Sequence, residues 1–475
     1  MKNKGVNISR FIGLVAALTV GFATILGQDS PSSAPPLFQD IQVHSTAAAT
    51  SPTPDPLVRK TGSSLPTAEA PSAPVYATHA IKSSIPILRT TAIPGNSGVL
   101  VESAEGNVVV ESGSNVPFNP ASNVKIATSF AVLKSFGPDY RFPTSVWTDG
   151  SYEEVTGTIH GNLYVSGRDP IFGYEHAVAL AGELNRMGIR VVQGDLIVTD
   201  NFTMNQLSAA RSGQSLFAVL DASKRSASAR RVWENFRINS GRASTLSLAP
   251  SVTFTGSSYA QPMPSNAKLL FNHESAPMRE IVKVMMCYSN NFVSERLGDM
   301  LGGPWAVARI VRQHTGANEY EFNIQTASGL GINRVTPNAM MKLLRALHND
   351  LARYRMTFAD IMPVAGLDRG TLENRFDTDF SSGSVVGKTG TLGQTDGGVS
   401  SLAGEISTRQ GKFLFVIFNQ RGSVSRFRSF QNNYISIIQG QFGGPIPVGY
   451  RPLSLDARIA KTRFSYPAKT AIGSE

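Results

Sequence analysis

The sequence predicts an α+β fold, an antiparallel sheet carrying helices, interrupted along the chain by a smaller inserted domain. Three observations predict it. Two hairpin patterns stand far apart in the 475-residue chain, near residue 100 and near residue 410. Helical apolar spacing fills residues 278–301 and 336–351. Between the first hairpin and those helices, residues 150–262 change texture, with short strand-like runs rich in Gly, Ser and Thr.

The elements follow in chain order. Residues 1–27 read as a signal peptide or an anchor: Lys2, Lys4 and Arg10 precede an apolar stretch shorter than the roughly 20 residues a full span takes. Residues 28–95 are rich in Pro, Ser, Ala and Thr and cannot bury enough apolar surface to offset their ordering entropy, so they are expected to be a disordered linker. The main domain is expected over 96–149 and 263–451. Its first hairpin pairs residues 99–102 with 108–111 across a loop containing Gly106. Ala127 to Leu133 form an apolar, helix-compatible run that Gly137 and Pro138 would stop.

The inserted domain, 150–262, carries strand patterns at 163–165 and 195–198 and one helical stretch at 177–187. The helix at 278–301 is interrupted by Tyr288-Ser289-Asn290-Asn291, and Pro337 suits the first turn of the next. Strands 398–407 and 412–419 form a second hairpin, with Leu414, Val416 and Phe418 on one face. Residues 452–475 read as a C-terminal tail.

Composition narrows the function classes. Lys and Arg number 44 against 34 Asp and Glu, a net charge of +10. The positive charge is spread without a dense run, so nucleic-acid binding is not implied. The single cysteine, Cys287, permits no disulfide within the chain and no cysteine-based zinc site. There is no His-Glu-x-x-His, and no metal or other cofactor is implied.

Ser122 and Lys125 stand three residues apart, which on a helix places both on one face. A serine hydroxyl becomes a nucleophile when a neighbour takes its proton, and a lysine can do so when burial or a nearby cation keeps it neutral. A helix N-terminus adds N–H groups that favour developing negative charge. In isolation the pair reads as a helix cap and a solvated lysine, and Ser-x-x-Lys recurs at Ser265–Lys268 without chemical context. Two further motifs follow in order, Ser289-Asn290-Asn291 and Lys388-Thr389-Gly390-Thr391. Taken singly, Asn291 reads as a turn residue and Lys388 as a surface charge. A second Lys-Thr-Gly, at residues 60–62, lies in the linker.

The ordered triplet is the set associated with penicillin-recognising serine enzymes. Over about residues 98–422 the chain resembles the penicillin-binding protein 4 type of D-alanyl-D-alanine carboxypeptidases and endopeptidases, peptidase family S13. The resemblance includes Gly161-Asn162-Leu163-Tyr164-Val165 with Asp169-Pro170, Gly194-Asp195-Leu196, Ser328-Gly329-Leu330, residues 362–366 and Gly370-Thr371-Leu372-Glu373-Asn374-Arg375. It implies a β-lactamase/transpeptidase-like catalytic domain. It implies Ser122 as nucleophile, Lys125 as its base and Ser289 as a proton relay. Asn291 would orient substrate, and Lys388, Thr389 and Thr391 would bind a terminal carboxylate. The N–H groups of Ser122 and Thr391 would form the oxyanion hole, and Lys388 would help keep Lys125 neutral.

The implied partners are peptidoglycan stem peptides, with β-lactam antibiotics as covalent inhibitors. The implied place is the periplasm or cell envelope, with membrane contact only through an uncleaved N-terminal segment. Three departures from the family pattern stand out: Ala327 where an aspartate is usual, an extra Arg369 after Asp368, and a shorter interval from Ser122 to Ser289 than in many members. They leave open an alternative, a catalytically weak or inactive envelope homologue that binds peptidoglycan or a protein partner. Two other readings fail on the residues. A phosphate-binding loop ending at Gly387-Lys388-Thr389 would need glycine at Ser382, and no Gly-x-Ser-x-Gly elbow is present.

Overall fold

The computed structural model describes residues 79–199 and 201–467. The expected signal or anchor and most of the expected linker lie outside the described residues. No helix among the described residues is long and apolar enough to cross a membrane.

The main sheet has six antiparallel strands in the order Lys82–Ser83, Val108–Ser112, Asn96–Ser103, Gly411–Gln420, Val399–Thr408 and Val385–Leu392. Both expected hairpins are present, and the second joins the first: Val416 opposes Leu100 and Ile417 opposes Val99. Both faces of the sheet are covered. Leu414, Val416 and Phe418 face a helical core that includes Phe130, Met285 and Leu344. Phe413, Phe415 and Ile417 point the other way, against Tyr434, Ile435 and Ile438 of the long helix Val424–Gln441. The period-2 alternation of an apolar strand thus serves two cores.

The second lobe has its own core around Val165, Leu180, Leu196 and Trp233. Its larger sheet runs in the order Ser258–Ala260, Leu196–Val198, Leu163–Gly167, Pro143–Thr148, Lys268–Glu274 and Arg463–Ser465. The strands at both chain crossings, Pro143–Thr148 and Lys268–Glu274, pair with each other inside this sheet. They tie the excursion to the main domain as a two-stranded stalk, so the change of texture at residue 150 falls after the lobe's first strand.

The structure differs from the sequence expectations in three places. Folded chain begins before residue 96: Lys82 pairs with Glu111, and Leu88 of the short helix Pro86–Thr90 is buried. The residues after 452 are not a free tail, since helix Leu455–Ile459 buries both its end residues and Phe464 pairs with His273. The second lobe holds three helices rather than one, adding Ala209–Leu220 and Ala227–Asn239. In each case the local apolar pattern is short or diluted by polar residues, and packing onto an existing core supplies the stability that propensity does not.

Candidate active site

Ser122 sits in a single 3-10 turn, Ala121–Asn123, at the head of helix Val124–Phe136. The residue before it, Ala121, has φ of 46°, a left-handed conformation that costs a non-glycine residue about 1–3 kcal/mol. Surrounding contacts hold it there. The Ala121 N–H donates to Asn119 Oδ1 at 3.0 Å, and the Asn119 amide donates to Asp396 Oδ2 at 2.7 Å. Ser401 Oγ donates to the Pro120 carbonyl at 2.6 Å. Burial acts to raise the Asp396 carboxyl, but hydrogen bonds from Arg334 and Asn119 outweigh it and hold the group below the usual carboxylate range.

One turn into the helix, Lys125 is fully buried, not solvated. Its Nζ lies 3.0 Å from Ser122 Oγ, 2.6 Å from Asn291 Oδ1 and 2.8 Å from the Ser328 carbonyl. Asn291 arrives because the helical run at 278–301 breaks. Helix Met278–Tyr288 ends at Ser289, left-handed at φ 56°, and Asn290 caps the next helix, Asn291–Asp299, by accepting from the Val293 N–H at 2.9 Å. Ser289 Oγ accepts from Lys388 Nζ at 2.9 Å.

Lys388, Thr389 and Thr391 lie on strand Val385–Leu392, with Lys388 fully buried and Thr391 exposed. A β-carbon on Gly390 would fall 2.9 Å from the Ser122 nitrogen and 2.2 Å from Ser401 Oγ, so only glycine lets this strand pass against the Ser122 turn. Gly387 to Thr389 run within a strand, not in a loop feeding a helix, which disposes of the phosphate-loop reading. The three motifs therefore meet around Ser122. Lys268 of the second Ser-x-x-Lys is exposed at the start of a strand. The other Lys-Thr-Gly lies outside the described residues.

Three residues that frame the site, Glu295, Thr128 and Ser294, escaped sequence reasoning. The Glu295 carboxylate accepts from the N–H groups of Ala327 and Ser328, at 3.1 and 2.9 Å. Thr128 and Ser294 hydroxyls both donate to the Ala327 carbonyl, at 2.6 and 2.8 Å. This loop is held through its backbone, and its methyl at residue 327 packs where Gly298 has no side chain. Gly329, at φ 89°, backs onto the Ser122 turn, and a β-carbon there would fall 1.9 Å from the Ala121 carbonyl oxygen. The available signal was positional: Glu295 lies one helical turn beyond Asn291, on the same face.

The extra Arg369 is exposed, while its neighbour Asp368 is buried against Lys283 at 2.6 Å. Cys287 is buried, which pushes its thiol up to about 12 and leaves it inert as a nucleophile. Among the described residues no group of three or more His, Cys, Asp or Glu side chains is arranged to hold a metal ion.

A sequence profile of the D-Ala-D-Ala carboxypeptidase 3 (S13) family matches residues 86–212 and 220–434. The chain is 25% identical over 438 residues to the D-alanyl-D-alanine carboxypeptidase of Actinomadura sp. strain R39, covering 70% of this chain and 79% of that protein. In fold it is similar to the penicillin G-acylated predatory endopeptidase Bd3459 of Bdellovibrio bacteriovorus, with a TM-score of 0.64, 23% identity and coverage of 75% and 96% of the two chains. It is also similar to penicillin binding protein 4 of Haemophilus influenzae, with a TM-score of 0.54, 19% identity and coverage of 73% and 97%.

Proposed function

The chain belongs to the D-Ala-D-Ala carboxypeptidase 3 (S13) family of serine peptidases, and on that premise we propose that it cleaves D-alanyl-D-alanine ends of peptidoglycan stem peptides through an acyl-enzyme on Ser122. The observation that carries this reading is the 3.0 Å approach of a fully buried lysine amine to the Ser122 hydroxyl. A neutral amine has two N–H donors and one lone pair. Asn291 Oδ1 and the Ser328 carbonyl are placed to accept the two hydrogens, which turns the lone pair to Ser122.

In the acylation step Ser122 Oγ bonds to the carbonyl carbon of the penultimate D-alanine and its proton passes to Lys125. The N–H groups of Ser122 and Thr391 receive the developing oxyanion, an interaction worth roughly 3–4 kcal/mol per donor. The C–N bond then breaks. Ser289, held by Lys388, relays a proton to the leaving amine, and D-alanine departs. Water hydrolyses the ester with Lys125 again as base, restoring Ser122. Lys388, Thr389 and Thr391 bind the terminal carboxylate. A cross-linked D-amino acid in the leaving position would make the same steps an endopeptidase reaction. A strained four-membered lactam presents the same carbonyl and would remain on Ser122 as an inhibitor.

Residues 1–27, with their positive start and apolar stretch, support export to the periplasm or cell envelope, where this substrate lies. The decisive test is Ser122→Ala. The variant is expected to fold and to lose all labelling by a fluorescent penicillin; labelling that survives would refute the assignment. Incubation of the wild type with defined muropeptides, followed by mass measurement of the products, separates loss of a terminal D-alanine from opening of a cross-link.

A further inference from the structure

Beyond the lysine and threonines of its strand, the carboxylate end of the site carries a second source of positive charge. The long helix Val424–Gln441 lies against the sheet face opposite the helical core. From its exposed face Arg428 reaches the strand end, and its guanidinium donates to Thr391 Oγ1 at 3.0 Å. One turn along, Gln431 and Asn432 accept hydrogen bonds from Arg375, at 3.1 Å from Nη2 to Gln431 and 2.7 Å from Nη2 to Asn432. Arg375 is thereby held close to Arg428. Burial first, and then the neighbouring Arg428 charge, push the Arg375 guanidinium down to about 10. Among the described residues no carboxylate forms an ion pair with either arginine. Arg428 thus stands beside the Thr391 hydroxyl with Arg375 near it, and neither pairs with a carboxylate among the described residues.

We propose that Arg428 is a specificity-determining residue that, with Thr391, clamps the terminal carboxylate of the peptide substrate. The inference rests on the proposed D-alanyl-D-alanine peptidase reading. Thr391 Oγ accepts from Arg428, so its own O–H is directed outward as a donor, and acceptance from a cation polarises that hydrogen. A carboxylate meeting this pair takes one hydrogen bond from the threonine and one from the guanidinium. Arg375 adds charge without touching the substrate, by keeping the local potential positive. The clamp binds substrate and transition state alike, so its loss falls on KM.

The test compares an acylated D-alanyl-D-alanine with the same peptide ending in D-alaninamide, in the wild type, Arg428→Gln and Arg428→Lys. For the free acid, Arg428→Gln is expected to raise KM about tenfold with kcat little changed, the worth of one charge-assisted hydrogen bond. For the amide, its kcat/KM is expected to match the wild type. Arg428→Lys is expected to recover part of the discrimination and also serves if the glutamine variant does not fold. Equal losses on the two peptides, or no loss on either, would overturn the role of Arg428. If the wild type neither hydrolyses the peptides nor is acylated by benzylpenicillin, the underlying function has failed; if it does both while Arg428→Gln treats acid and amide as the wild type does, only the clamp has failed.

Discussion

The main domain buries three lysines, Lys125, Lys283 and Lys388, and gives every one of their amines oxygen partners. The second lobe buries Asp169, Glu175, His176 and His273, and there Asp169 Oδ2 and both ring nitrogens of His273 lack hydrogen-bond partners among the described residues. In the lobe, burial pushes Asp169 up to about 7 and Glu175 up to about 8, both toward the neutral acid. Burial also takes His176 down to about 4, and burial together with His176, Arg242 and Arg141 takes His273 well below its ordinary value. Where partners are supplied, an ionisable group can be kept for chemistry or for a specific tie. Where they are not, the group survives by discarding its charge.

Within the main domain the comparison sharpens further, because two buried lysines with similar surroundings differ in what they face. Lys125 faces a hydroxyl, whereas Lys283 faces the Asp368 carboxylate and the carbonyls of Ala359 and Met362. The Asp368 carboxylate in turn accepts from Tyr450, which accepts from Arg458, so this tie fastens the C-terminal segment to helix Met278–Tyr288. The lysine aimed at a carboxylate ties two segments of the main domain together. The lysine aimed at a serine is the one proposed above as the base.

Four experiments would break or sharpen these contrasts. Lys125→Ala is expected to slow acylation by penicillin by about a thousandfold, in the range of a lost general base, with a far smaller effect on Tm than the next variant; stopped-flow labelling and calorimetry read the two quantities. An unimpaired acylation rate would remove Lys125 from the reaction. Lys283→Met should do the converse. It leaves Asp368 buried without its cation and should cost about 3–5 kcal/mol in denaturant unfolding, while the folded protein still acylates at Ser122.

Gly329→Ala places a methyl against the Ala121 carbonyl and is expected to lower kcat/KM about a hundredfold by displacing the Ser122 turn. Wild-type kinetics in that variant would show that the turn yields without consequence. The smallest expected effect is a pH dependence of stability set by the second lobe. Folded-state values raised in Asp169 and Glu175 confer stability that is complete at acid pH and lost as pH rises through about 7 and about 8. The depressed histidines act the other way, losing stability as pH falls below their ordinary value toward about 4. From pH 4.5 to 6.5 the two slopes oppose, so Tm should be nearly flat there and decline above about 6.5. Glu175→Gln should lessen that decline; an unchanged profile would place its origin elsewhere.

The sequence by itself determined what depends on near neighbours. The i, i+3 spacing of Ser122 and Lys125, the break at Ser289–Asn291, the alternation of Leu414, Val416 and Phe418 and the two hairpins are local patterns, and all are present in the fold. The early strand at Lys82, the two additional helices of the second lobe and the C-terminal strand at Arg463 were not legible, because each is stabilised by a partner remote in sequence. Tertiary structure alone decided the environment of each ionisable group. Lys125 meets Asn291 across 166 residues and Ser328 across 203, and no periodicity encodes such a meeting. Hydrogen-bond partners and solvent exclusion set the state of a buried amine, and both are properties of the assembled core, so whether a lysine becomes a base or a brace is settled only when the chain has closed around it.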